Sequence, residues 1–175
     1  MAEYCRTEDS GMEKACCFTG HREIPENEVK GVMEEIRKSI DNLHSVKGIT
    51  TFYAGGCTGL DALAASAVLE YREAHPEVRL IVVVPYEGQS RGWSQEEKDE
   101  YERIKSLASE VVTLANHYYN GCMQRRNRYM VDRSSECVCY LTREDGGTVY
   151  TVKYARSKGL HIRNLTGIDI APIIG

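Results

Sequence analysis

Between residues 15 and 165 the chain switches repeatedly between two hydrophobic periods, and this alternation restricts the fold more than any other feature. Short apolar or β-branched runs occur at residues 15–19, 49–54, 79–84, 111–114, 137–141 and 160–165. Between them lie stretches whose apolar residues recur three and four apart. Val29, Val32, Met33, Ile36, Ile40 and Leu43 form one stripe, and Leu60, Leu63, Ala64, Ala67, Val68 and Tyr71 another. The second pattern is that of an amphipathic helix; the first suits strands covered on both faces. Strand and helix alternating through short connections predict a parallel sheet with helices on both sides. A single doubly wound, Rossmann-like α/β domain is therefore expected over residues 15–165, with a mostly parallel sheet of about five or six strands. A flexible tail at 1–14 and an apolar tail at 166–175 would flank it.

Finer signals agree. Ser94 and Glu97 have capping-box spacing and open a helix with Tyr101, Ile104, Leu107 and Ala108 on its core face. A helix over 122–134 carries Met123, Met130 and Val131 as its apolar stripe, and one over 148–158 is stopped by Gly159.

Composition narrows the classes of function. The 175 residues suit one core, and 22 Lys+Arg against 26 Asp+Glu give a net charge of −4. No chain-wide basic footprint for nucleic acid is present. The longest apolar run, 80–85, is far short of the roughly 20 residues that cross a bilayer, so no membrane partner is expected. Residues 1–13 are polar and charged, unlike a secretory signal. The seven cysteines show no C-x-x-C spacing, and Cys16, Cys17, Cys137 and Cys139 fall in strand-like runs, which predicts a reduced, cytoplasmic setting. Cys57 and Cys122 fall in loops, where a thiol is either reactive or simply buried. The five histidines are scattered, and no metal site or resident cofactor is expected.

The unusual residues cluster just after each strand. Thr19-Gly20-His21-Arg22 follows the first, Gly55-Gly56-Cys57-Thr58-Gly59-Leu60-Asp61 the second and Pro85-Tyr86-Glu87-Gly88-Gln89 the third. Asn116 to Gly121 follows the fourth, and Thr142 through Gly146-Gly147-Thr148 the fifth. In a parallel sheet all five loops lie along the carboxyl edge, where open α/β folds take ligands. Gly55-Gly56-x-x-Gly59 and Gly146-Gly147-Thr148 each enter a helix, so they either serve tight turns or offer backbone N–H groups to a phosphate. The P-loop lysine and the G-x-G-x-x-G dinucleotide fingerprint are both absent.

Individual side chains keep two readings each. Asp61, in a first helical turn, either answers the helix dipole or accepts from sugar hydroxyls. Asn127 falls within the buried stripe of its helix and either fastens a loop or holds a ligand, with Arg126 beside it. His21 is an acid–base candidate or a hydrogen-bonding residue, and Arg22 suits a phosphate fork. Trp93 either stacks on a base or plugs a helix start.

Together these motifs resemble the YpsA-like proteins of the SLOG superfamily. The likeness rests on Thr-Gly-His-Arg, Gly-Gly-x-x-Gly-x-Asp, Pro-Tyr-x-x-Gln with the later Trp93, Arg126-Asn127-x-x-Met130-Val131-Asp132 and Gly146-Gly147-Thr148. That superfamily has Rossmann-like domains akin to the DNA-processing protein DprA and the LOG phosphoribohydrolases. The resemblance implies a site for a nucleotide or an ADP-ribose-like ligand. The residues it marks are Thr19, Gly20, His21, Arg22, Gly55, Gly56, Thr58, Gly59, Asp61, Pro85, Tyr86, Gln89, Trp93, Arg126, Asn127, Asp132, Gly146, Gly147 and Thr148. LOG enzymes carry Gly-Gly-x-Gly-Thr-x-x-Glu; here 146–151 reads Gly-Gly-Thr-Val-Tyr-Thr, without the third glycine or the glutamate. Asp61, Glu87, Glu144 or Asp145 would have to replace that carboxylate in a glycosidic cleavage.

Three functions remain. The first is binding or sensing of a nucleotide-derived small molecule. The second is a phosphoribohydrolase acting on nucleoside monophosphates, its catalytic residues unassigned. The third, single-stranded DNA binding by analogy with DprA, runs against the acidic balance but is kept open by Arg125, Arg128 and Arg133 with Tyr118, Tyr119 and Tyr129. A homodimer is left open too.

Overall fold

The computed structural model describes residues 14–175; of the tail expected at 1–14, all but Lys14 lies outside the described residues. Strands β1 (Ala15–Gly20), β2 (Thr51–Ala54), β3 (Arg79–Val84), β4 (Glu110–Thr113), β5 (Glu136–Tyr140) and β6 (His161–Asn164) alternate with helices. These are α1 (Glu26–Lys47), α2 (Leu60–Ala74), α3 (Gln95–Leu107), α4 (Cys122–Asp132), α5 (Gly147–Ser157) and α6 (Ala171–Ile174). The strands form one six-stranded sheet in the order β4-β3-β2-β1-β5-β6, with every pairing parallel.

From β1 the chain steps outward through β2 and β3 to β4, then returns across the sheet to place β5 on the other side of β1. Right-handed crossovers running in opposite directions put their helices on opposite faces. The two cores show this division. Cys16, Phe18, Phe52, Leu80 and Val82 face α1, α2 and α3, while Cys17, Tyr53, Ile81, Val83, Cys137 and Cys139 face α4, α5 and α6. Successive strand residues alternate between the cores because the pleat has a period of two. Reversal of strand order at β1 and β5 opens a crevice at their carboxyl ends.

Helix boundaries follow local chemistry. Gly48, at φ 71°, ends α1 in the left-handed conformation that costs glycine no Cβ clash. Ser94 accepts from the Glu97 N–H and Glu97 from the Ser94 N–H, which closes the expected capping box. Leu107 departs from the expected core face of α3: it is the last residue of the helix and is 44% exposed. Cys122 is the first residue of α4 rather than a loop residue, and both it and Cys57 are buried. Within 166–175, Ile174 of α6 closes the second core against α5.

Candidate functional site

The loops after β1, β2 and β5 converge with the start of α4 on one cavity of about 430 Å³. Its walls include Thr19, Gly20, His21, Arg22, Asp61, Arg126, Asn127, Gly147 and Thr148, all expected from the sequence. A second hollow of about 290 Å³, between α2 and α3, shares Arg22 and Cys57 with the first and adds Gly56, Thr58, Gly59 and Trp93.

The remaining expected residues stand apart from both hollows. Gly55 lies behind the wall, Gln89 bonds Tyr101 beneath Gly56, and Gly146 is the N-cap of α5. Pro85 and Tyr86 follow β3, where the Tyr86 ring meets Tyr118 edge-on. Asp132 accepts from the Tyr154 hydroxyl at the far end of α4. At 1.5 Å rise per residue, five residues carry it about 7.5 Å beyond Asn127, so it is not brought to the cavity.

The register of α4 corrects the sequence reading. Cys122, Arg126 and Met130 form its buried stripe, and Arg126 is only 5% exposed while Asn127 is half-buried. The apolar residues of so short a helix are compatible with either rotation, and packing selects the one that buries the arginine. Arg126 Nη1 donates to the Gly55 and Val83 carbonyls, Nη2 to Cys57 Sγ at 3.6 Å, and Nε to Asn127 Oδ1 at 2.7 Å. These donors are spent inside the protein, so Arg126 clasps the glycine loop.

Gly55 must approach this clasp closely. A Cβ there would lie 2.3 Å from Arg126 Nη1 and 2.8 Å from Asp61 Oδ2. Asp61 is 8% exposed. Burial pushes its carboxyl above the ordinary range, opposed by Arg126, the Cys57 N–H and Arg22. Burial works against the Arg126 charge, while Cys57 and Asp61 hold it in place.

His21 is occupied on both ring nitrogens. The Thr142 N–H donates to Nε2 at 3.2 Å, which leaves Nδ1–H facing Thr148 Oγ1 at 3.5 Å. Burial, then the neighbouring Arg143, lowers its pKa. A neutral imidazole with both nitrogens engaged ties β1 to the β5–α5 loop and has no free position for proton transfer.

The sequence reading missed Phe18, Glu23, Cys57, Met123 and Arg143 as wall residues. Arg143 and Glu23 were open to detection, since each lies in a carboxyl-edge loop beside a residue already singled out. Of the four carboxylates that might replace the LOG glutamate, Asp61 alone lines the cavity; Glu87, Glu144 and Asp145 do not.

Three helices beginning around the site, α2, α4 and α5, start on Gly59, Gly121 and Gly146 without a side-chain cap. Neither α4 nor α5 has an acid in its first turn. Their orphan N–H groups and dipoles favour an anion. Arg22 and Arg143 add charge at the rim, where Arg22 makes no side-chain hydrogen bond among the described residues. The arrangement can hold a phosphate against α5 and offer Asp61 to a hydroxyl.

Comparison with known proteins gives the family and the fold. The YpsA family model, described as "YspA SLOG family", matches residues 17–169. The chain is similar to the uncharacterized SPbeta prophage-derived protein YoqJ of Bacillus subtilis (strain 168), 26% identical over 129 residues, or 67% of this chain and 75% of that protein. It is also similar to a UPF0398 protein of Bacillus thuringiensis (strain Al Hakam), 27% identical over 115 residues, spanning 64% of this chain and 62% of that protein. Among solved structures, DprA of Streptococcus pneumoniae superposes with a TM-score of 0.62 at 16% identity, over 85% of this chain and 49% of that one. DprA of Helicobacter pylori, described for its single-stranded DNA binding mode, gives 0.58 at 15% identity over 85% and 63%. At these identities the likeness to the solved structures is one of fold.

Proposed function

Since the chain belongs to the YpsA family of SLOG proteins, we propose that its carboxyl-edge cavity binds a phosphate-bearing, nucleotide-derived small molecule of the ADP-ribose kind. One observation carries this reading: a single cavity joins uncapped helix starts, two rim arginines and one buried carboxylate. The first turn of α5, with Gly147 and Thr148, receives the phosphate; Arg22 and Arg143 neutralise it; Asp61 accepts from ribose hydroxyls. A phosphate oxygen repels a carboxylate and a hydroxyl donates to one, so Asp61 and the phosphate occupy different ends of the ligand. The six cysteines among the described residues are buried and free, which suits a reducing, cytoplasmic setting. No described helix is long and apolar enough to cross a membrane.

Thermal denaturation with ADP-ribose, AMP, adenosine and buffer tests the reading. A ligand binding only the folded state raises the midpoint in proportion to ln(1 + [L]/Kd). ADP-ribose or AMP should stabilise the protein and adenosine should not. Equal midpoints at millimolar concentrations of all three would overturn it.

Asp61 also favours a second reading, cleavage of an N-glycosidic bond, because a cavity-lining carboxyl whose pKa is raised by burial is a better proton donor to a leaving base than an ordinary one. Chromatography of AMP incubated with the protein, looking for free adenine that disappears in Asp61→Asn, separates catalysis from binding. Single-stranded DNA binding has less support. Arg125 is bonded to the Leu114 carbonyl and Tyr119, Arg128 to Tyr150, and Arg133 lies over the Tyr129 ring. The basic face of α4 is thus largely satisfied within the protein.

A further inference from the structure

At the amino edge of the sheet, opposite the ligand cavity, three donors from separate segments converge. His44 lies in the last turn of α1, His75 caps the end of α2, and Glu77 lies in the turn into β3. Their ligand atoms all fall within 4.8 Å of one another. We propose that His44, His75 and Glu77 form a binding site for a divalent transition-metal ion of the zinc class.

Hydrogen-bond accounting supports the assignment. The Tyr71 hydroxyl donates to Asp41 Oδ1 at 3.1 Å, so its oxygen accepts from His44 Nδ1–H at 3.0 Å. The other nitrogen, Nε2, then directs its lone pair at Glu77 Oε1, 2.8 Å away. Two lone pairs at that separation need a cation between them, either a proton or a metal ion. His75 decides between these. Its Nδ1 lies 3.9 Å from the same carboxylate oxygen, a third donor that a shared proton does not require. The His75 ring is held flat on Tyr71, with centroids 4.1 Å apart and planes 16° from parallel.

The donor set suits zinc. Two imidazoles and a carboxylate with one open position make a known zinc arrangement, and bonds near 2.1 Å put tetrahedral donors about 3.4 Å apart. The two separations to Glu77 Oε1, 2.8 and 3.9 Å, bracket that value, and all three donors lie within 4.8 Å of one another. The Tyr71–Asp41 relay behind His44 is the outer partner that fixes the tautomer of a metal-bound imidazole. Nitrogen-rich donors favour zinc over magnesium, which takes oxygen ligands and keeps its water. The half-exposed Glu77 leaves the fourth position open to solvent. Such an ion would clamp α1 to the α2–β3 turn.

Equilibrium dialysis of the full, untagged, chelator-stripped chain against zinc, with metal analysis, tests this. Retention of one equivalent is expected, with no retention of magnesium. Cobalt in its place should give visible bands of a tetrahedral nitrogen–oxygen site without the thiolate charge-transfer band. His75→Ala and Glu77→Gln lie at the surface, and unchanged circular dichroism checks that they fold. Each should weaken zinc at least about tenfold, and Tyr71→Phe by a comparable factor through the outer partner. No retained zinc would overturn the proposal, as would affinity unmoved by these variants or a cobalt–thiolate band placing the metal on cysteine.

Discussion

The buried guanidinium of Arg126 donates to the backbone carbonyl of Gly55, joining the start of α4 to the glycine loop after β2 across 71 residues of chain. The bond couples two loops that would otherwise form the cavity independently. It also leaves Asp61 beside the buried positive charge of Arg126.

Removing that charge strands its neighbours. Arg126→Ala leaves the Gly55 carbonyl without its donor and the Asp61 carboxylate without its counter-charge. Leaving a buried acceptor without its donor costs about 1–3 kcal/mol, a sizeable part of the roughly 5–15 kcal/mol that holds a domain. A urea titration should show a correspondingly lower midpoint. Gly55→Ala should be destabilised as well, since its methyl would overlap Arg126 and Asp61. An unfolding free energy within about 0.5 kcal/mol of the parent for Arg126→Ala, the range of a plain surface change, would mean that the clasp is not structural.

Asp61 is held above its ordinary pKa by burial, only partly offset by Arg126, the Cys57 N–H and Arg22. A carboxyl raised in the folded state contributes stability below its unfolded value of 3.8, and that contribution is lost as pH rises through the folded value. Asp61→Asn should therefore lack this pH-dependent loss, gaining on the parent between acid and neutral pH. Denaturant midpoints of both proteins across that interval measure the difference. The same variant should lose the ligand while keeping the fold.

His21 behaves in the opposite sense. Burial and Arg143 lower its folded pKa, so its contribution is complete above the unfolded value of 6.5 and is lost as pH falls through the lowered one. His21→Gln, which can still accept from Thr142 and donate to Thr148, should remove that acid-side slope. Thermal midpoints at neutral and mildly acidic pH report it. A parent protein with no change in midpoint below the unfolded value would contradict the neutral imidazole.

Arg22 and Arg143 are exposed at the rim, and replacing either should leave stability within about 0.5 kcal/mol. A charge-assisted hydrogen bond is worth about 1.5–3 kcal/mol, so each alanine variant should weaken a phosphate ligand about tenfold to a hundredfold. Calorimetric titration in low and high salt checks both the loss and its screening.

The alternation of periods between residues 15 and 165 was enough to expect a doubly wound sheet, because burial on two faces and burial on one leave different spacings in the chain. Carboxyl-edge loops could be marked for the same reason: glycines and hydroxyls gather where strands end and helices begin. Arg126 and Asn127 could not be ranked that way. Adjacent helical positions differ by about 100° of rotation, and which of them faces the sheet depends on neighbours far away in sequence. His44 and His75 were equally hidden, 31 residues apart on different helices with no ligand spacing between them.

Local chemistry is written into the chain itself: where helices start, which segments are apolar and which loops are rich in glycine all follow from neighbours a few residues apart. The strand order, the burial of Arg126 and the meeting of His44, His75 and Glu77 arise otherwise. They are set by long-range packing around the reversal at β1 and β5, whose energy depends on pairs of segments that no short window of sequence contains.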